Sequence, residues 1–188
     1  MTISRCSWVT SDPLYIDYHD KEWGRPVHND QKLFEMLTLE GAQAGLSWIT
    51  ILKRRESYRE AFDNFDAVII SRYNNDKVEK LLQNTGIIRN RKKIESVIRN
   101  ANAFLKIQDA YGSFDSYIWS FVGGETIINH WASTDGIPAI TTESEAMSKD
   151  LKKRNFSFVG PTICYAFMQA TGMVNDHAQD CFLYNEGL

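Results

Sequence analysis

The apolar positions of this chain recur mostly at three- and four-residue intervals, the period of helices packed on a core. The clearest run starts at Asp30, a candidate N-cap, and carries Leu33, Met36 and Leu37 at i, i+3 and i+4. Glu40 falls at i+7, and at 100° per residue seven steps return to within about 20° of Leu33. A carboxylate is therefore aimed where core residues point. Two readings stand open. If Glu40 is buried without internal partners it awaits a ligand; if it sits at a frayed helix end, it reaches water past Gly41. Gly41 and Gly45 read as a turn, after which Ser47 caps a helix carrying Trp48, Ile49, Ile51 and Leu52.

The same periodicity predicts helices over about 14–20, 76–83 and 91–105. Ser113 caps another, with Tyr117, Ile118, Phe121 and Val122, ended by Gly123-Gly124. Thr142 and Glu145 form a capping box ahead of 146–153, and Pro161 opens a last helix to Gly172. Residues 125–139 read as a connector with a β-leaning Thr-Ile-Ile. The expected fold is all-α, a single domain over 1–188 with two helical lobes.

Composition changes this picture little. The 188 residues are 43% hydrophobic, enough for a sizeable core. No apolar run reaches the roughly 18 residues of a membrane span, and Met1–Arg5 starts no signal-peptide pattern. A monomer in the cytoplasm is expected, with no membrane partner. The net charge of −3 and pI near 5.8 speak mildly against a nucleic-acid partner. The clusters Lys53-Arg54-Arg55, 89–93 and Lys152-Lys153-Arg154 qualify that, if folding gathers them on one side.

Three cysteines suggest no disulfide framework. Cys164 lies in an apolar run and reads as a buried small hydrophobe. His177 and Cys181 stand at i, i+4, on one side of a helix; alone they are equally two packed core residues. Cys6 and His19 complete a Cys2His2 set suited to tetrahedral Zn²⁺. Four protein ligands leave no position for a catalytic water, which argues against a zinc hydrolase. The site is expected to be structural, clamping the two ends of the chain. His28 and His130 have no such company.

Residues 151–163, centred on Phe156-Ser157-Phe158-Val159-Gly160, resemble the hairpin of the helix-hairpin-helix DNA glycosylase superfamily, within about 146–172. There, backbone N–H groups meet DNA phosphates. Gly160 is kept, but Phe158 stands where the first glycine belongs. Base-excising relatives carry a Val-Asp-x-His tetrad whose aspartate is catalytic; here it reads Val174-Asn175-Asp176-His177. If a carboxylate is needed it comes from elsewhere, and Glu40 is the candidate.

Several blocks together resemble the bacterial 3-methyladenine DNA glycosylase I family: Cys6-Ser7-Trp8, the run from Asp12 to Gly24, Phe34 to Trp48, Phe158 to Tyr165, and Val174 to Cys181. The resemblance implies a helix-hairpin-helix glycosylase with a structural zinc joining its termini. It implies hydrolysis of the N-glycosidic bond of 3-methyladenine in alkylated double-stranded DNA, leaving an abasic site. It also implies roles. Glu40 and Tyr18 hydrogen-bond the excised base, Trp48 stacks on it, and Trp8 and Tyr15 complete the pocket, with Glu40 the catalytic candidate. Leu46 wedges into the space left by the flipped base, with Gln43 and Gly45 beside it, and Gly160 meets the DNA backbone.

Overall fold

A computed structural model describes residues 3–184. Ten α-helices follow one another: α1 (Pro13–Lys21), α2 (Asp30–Gln43), α3 (Trp48–Leu52), α4 (Arg55–Ala61), α5 (Ala67–Ile70), α6 (Asn75–Gln83), α7 (Arg91–Tyr111), α8 (Phe114–Trp119), α9 (Thr142–Lys153) and α10 (Pro161–Ala170). The all-α expectation needs one correction. Ile127–Ile128 (β1) and Val174–Asn175 (β2) pair in parallel, Ile127 opposite Val174. The β-leaning stretch of the connector found a partner some 47 residues away, which local periodicity does not encode.

Helix α2 is the axis of the molecule. Every residue from Leu33 to Ala42 is buried, and α3, α7, α8 and α10 pack around it. A helix enclosed on all sides has no solvent face, so the single-stripe reading was too narrow. Its N-cap is Asn29, whose side chain accepts from the Lys32 amide at 2.9 Å; the expected cap, Asp30, is the first helical residue. Asp30 instead reaches across to α8, accepting from the backbone amides of Phe114 and Asp115, both at 2.8 Å. It thus satisfies the orphan donors of another helix.

Gly41 does not break α2, which runs on to Gln43. A Cβ there would lie 3.3 Å from the Phe158 Cβ, so the missing side chain admits the hairpin between α9 and α10, not DNA. The capping box of α9 uses Thr141 and Ser144, one residue before the expected pair. Ser47 is the N-cap of α3 without a side-chain bond to its amides; its hydroxyl pairs with Thr50 at 2.8 Å. Residues 176–184 hold turns and irregular backbone, not a helix, so His177 and Cys181 come together, at 3.6 Å, without sharing a helix face. No helix is long and apolar enough to cross a membrane among the described residues.

Candidate active site

Where α1, α2, α3 and α10 converge, a cavity of roughly 380 Å³ opens to solvent. Four of its walls are the expected aromatics Trp8, Tyr15, Tyr18 and Trp48. Trp8 meets Tyr15 and Trp23 edge to face, at 5.4 Å and 5.1 Å, and Tyr18 lies tilted 5.4 Å from Trp48. Such contacts hold the rings in fixed orientations. The indole N–H groups of Trp8 and Trp48 are buried without acceptors, and both side chains line the cavity. Buried unsatisfied donors are rare and call for an explanation.

Glu40 lines the same cavity at 4% exposure, and no hydrogen bond or ion pair reaches its carboxylate among the described residues. Burial alone pushes its pKa up to about 8. Burial thus favours the protonated acid over the carboxylate. The Tyr18 hydroxyl is pushed well above its usual value by burial and then by Glu40. Of the two open readings, the frayed end is excluded and the buried, partnerless carboxylate stands.

The neighbouring acid Asp176 is of another kind. Its carboxylate is fully buried and accepts four hydrogen bonds, from Asn129 Nδ2, Trp131 Nε1, Tyr165 Oη and Gln169 Nε2, at 2.6 to 2.8 Å. Saturated in this way it is a structural anchor, and through Gln169 it fixes part of the cavity wall. Asn175 Oδ1 accepts from the His177 amide at 3.1 Å.

Directly behind the aromatic wall sit Cys6, His19, His177 and Cys181, all buried, with ligand atoms within 4.8 Å of one another. The sulfur–nitrogen separations are 3.5 Å (Cys181 to His19 Nε2) and 3.6 Å (His177 Nδ1 to both Cys6 and Cys181). Bonds of about 2.3 Å to sulfur and 2.0–2.1 Å to nitrogen around a tetrahedral ion give an edge of about 3.5 Å. The outward nitrogens are held as well: His19 Nδ1 meets Asp20 at 2.8 Å, itself forked by Arg5, and His177 Nε2 lies 3.3 Å from the Trp23 carbonyl. These contacts fix the ring orientations needed to point two nitrogens at one centre. The donor set fits a bound metal. Trp8 packs 5.3 Å from the His19 ring, so the cluster braces the pocket wall.

Leu46 is exposed on the turn after α2, where Gly45 has φ +78°. Gln43, expected beside the wedge, accepts from the Leu46 amide at 2.6 Å through its carbonyl and also lines the cavity. Gly160 is the N-cap of α10 with ordinary φ; the left-handed positions in the hairpin are Asn155, φ +70°, and Phe158, φ +55°. The residues missed are Ser7, Trp23, Thr134, Asp135, Ile137, Ala166 and Gln169, all lining the cavity. The 134–137 turn lies within the connector and reaches the mouth by a contact between Ser7 and Thr134. Nothing local marks it.

A helical frame around an aromatic cavity with a buried, uncompensated carboxylate defines a protein that takes up a flat, electron-poor ring. The chain belongs to the methyladenine glycosylase family, whose pattern it matches over residues 8–184. It is 51% identical over 182 residues to DNA-3-methyladenine glycosylase 1 of Escherichia coli (strain K12), covering 97% of each chain. A crystal structure of a 3-methyladenine DNA glycosylase I superposes with a TM-score of 0.93 at 56% identity, over 95% of this chain and 98% of that one. Another, a single-site variant in complex with 3-methyladenine, superposes with a TM-score of 0.94 at 35% identity, over 98% and 99%.

Proposed function

We propose that the protein hydrolyses the N-glycosidic bond of 3-methyladenine in alkylated duplex DNA, releasing the free base and leaving an abasic site. The observation that carries this reading is Glu40, buried and partnerless in an aromatic cavity. A relative of matching fold holds 3-methyladenine in its crystal structure, which supports the same ligand here.

The chemistry follows from charge. An adenine alkylated at N3 is cationic within DNA, so its glycosidic bond is weakened and its leaving group departs neutral. No general acid is required. The cation gains about 0.5–2 kcal/mol for each electron-rich ring beneath it, here Trp48 and Tyr18. It also supplies the counter-charge that burial withholds from Glu40, so the carboxylate ionises as the base enters and a charge-assisted hydrogen bond forms. Unmodified adenine brings no charge, and admitting it leaves Glu40 protonated and the rings without a cation. Selectivity therefore precedes bond cleavage.

The base reaches the cavity by leaving the stack, which costs a few kcal/mol and least at damaged positions. Leu46, apolar and exposed beside the cavity, suits the space vacated in the duplex. The α9–hairpin–α10 unit serves as the helix-hairpin-helix, with the backbone around Gly160 facing phosphate. The four-residue cluster holds one structural Zn²⁺, Cys6, His19, His177 and Cys181 being its ligands; the ion would keep both thiolates deprotonated.

The test is base release from methylated duplex DNA, with the products separated and identified. Free 3-methyladenine accompanied by abasic sites is expected; intact methylated bases after long incubation overturn the reading. Metal analysis is expected to return one zinc per chain, lost to chelator only together with helical structure. Rapid reversible inhibition by chelator with the fold retained would contradict a structural role.

A further inference from the structure

We propose that the cleft between α7 and α9 seats the phosphate backbone of duplex DNA beside the target site. The DNA then lies along α7, from the Leu46 turn past the hairpin into the cleft. This rests on the reading of the protein as a DNA glycosylase.

The first argument is how charge is sorted. Cations in the first half of the chain are mostly spent in ion pairs, as Lys21 with Asp17, Lys53 with Asp12, and Arg55 with Glu22 and Glu35. In the cleft the pattern reverses. A cavity of roughly 490 Å³ is lined by Arg99 and Lys106 of α7 and by Lys152 and Arg154 at the end of α9, with no carboxylate among its lining residues. Arg154 is already paired with Asp150 at 2.7 Å and lies over the Tyr111 and Tyr117 rings. Arg99 donates to the Ser157 hydroxyl at 3.0 Å and keeps its charge. Lys106 and Lys152 are exposed and have no acidic partner among the described residues. In a chain of net charge −3, a cluster in which Arg99, Lys106 and Lys152 have no carboxylate partner among the described residues is a local field suited to a polyanion.

The second argument is continuity. One helix touches every part of the proposed track. Lys93 of α7 donates to the carbonyls of Ala42 and Ala44, both at 2.7 Å, and so fixes the end of α2 that carries the Leu46 turn. Two turns on, Asn100 accepts from the Ser157 amide at 2.8 Å and donates to its carbonyl at 3.0 Å, fixing the hairpin. Lys106 lies thirteen residues after Lys93, about 20 Å along the axis at about 1.5 Å per residue. That is about six steps of one DNA strand at about 3.4 Å each. The wedge turn, the hairpin and the cleft are held at fixed intervals by a single rigid element. Lys93 and Asn100 are positioning residues; Arg99, Lys106 and Lys152 are the phosphate contacts.

Lys106→Gln and Lys152→Gln, singly and together, test this by anisotropy titration of an undamaged labelled duplex at several salt concentrations. Each single change is expected to flatten the slope of log K against log salt by about 0.9, and the pair by about 1.8. KM for methylated duplex should rise with kcat unchanged. Lys80→Gln, an equal charge change on α6, should leave the slope as it is. A double variant with the wild-type slope overturns the proposal, as does an equal loss in Lys80→Gln. If the slopes shift as expected while the unaltered protein releases no 3-methyladenine, the cleft stands as a DNA seat and the glycosylase reading falls.

Discussion

Helix α2 buries two glutamates five residues apart, and they meet opposite fates. Glu35 lies in a cage of cations: Arg55 Nε at 2.6 Å, an Arg59 nitrogen at 2.8 Å and Lys32 Nζ at 3.6 Å. Burial pushes its pKa up, but Arg55, Lys32 and Arg59 outweigh that, and the net shift is downward. Glu40 meets no cation, and the same burial carries it up to about 8. One carboxylate is compensated by the protein and holds the fold; the other is left for a ligand to compensate. A buried charge is informative about function when its partner is missing, not because it is buried.

The contrast can be broken most severely at the compensated end. Arg55 forks Glu22 through two bonds of 2.9 Å while holding Glu35. Arg55→Met leaves Glu35 to Arg59 and Lys32 and Glu22 to Lys32 alone, and denaturant titration should show a loss of about 3 kcal/mol. At the other end, Glu40→Gln should preserve the fold and lower 3-methyladenine release by about 100-fold, the scale of one lost site interaction in the transition state. Undiminished release would remove Glu40 from the chemistry.

Stability against pH sharpens the comparison further, because the signs are opposite. Glu35, lowered on folding, contributes stability above the ordinary carboxylate range and loses it as the pH falls through that range. Glu40, raised on folding, contributes below about 4.5 and loses stability as the pH climbs from there to about 8. Glu40→Gln should therefore melt with the unaltered protein at pH 5 but several degrees higher at pH 8, a gain of about 2 kcal/mol given the cavity's opening to water. Equal melting at both values would mean that Glu40 has a partner after all. The smallest effect is expected at Trp48. Trp48→Ala should weaken titrated 3-methyladenine by about ten-fold, the loss of one stacking face.

The Glu40 side of this contrast was legible in the sequence, since a spacing of seven residues fixes direction whatever surrounds the helix. The Glu35 side was not, because two of its three cations, Arg55 and Arg59, stand twenty and more residues away on α4. The four metal-type residues were found through their chemistry although the backbone imagined for His177 and Cys181 was wrong. Residue type survived an error of geometry there because turns and helices alike bring i and i+4 together. Asp30 shows the converse: a cap by residue type, it caps α8, some 84 residues away. The 134–137 turn had no signal at all, since its place at the cavity mouth depends on Ser7 at the far end of the chain.

Cys6 and His177 lie 171 positions apart, and His19 and Cys181 are 162 apart. On a chain made from its N-terminus, the aromatic segment with Trp8, Tyr15 and Tyr18 emerges early and has nothing to close against. Its second pair of anchors emerges only long afterwards, after α2 and α10 have had time to dock. The ability to hold a ligand is thus acquired only once Cys181 has emerged, so a chain cut before His177 would keep most of its core and lack a finished pocket.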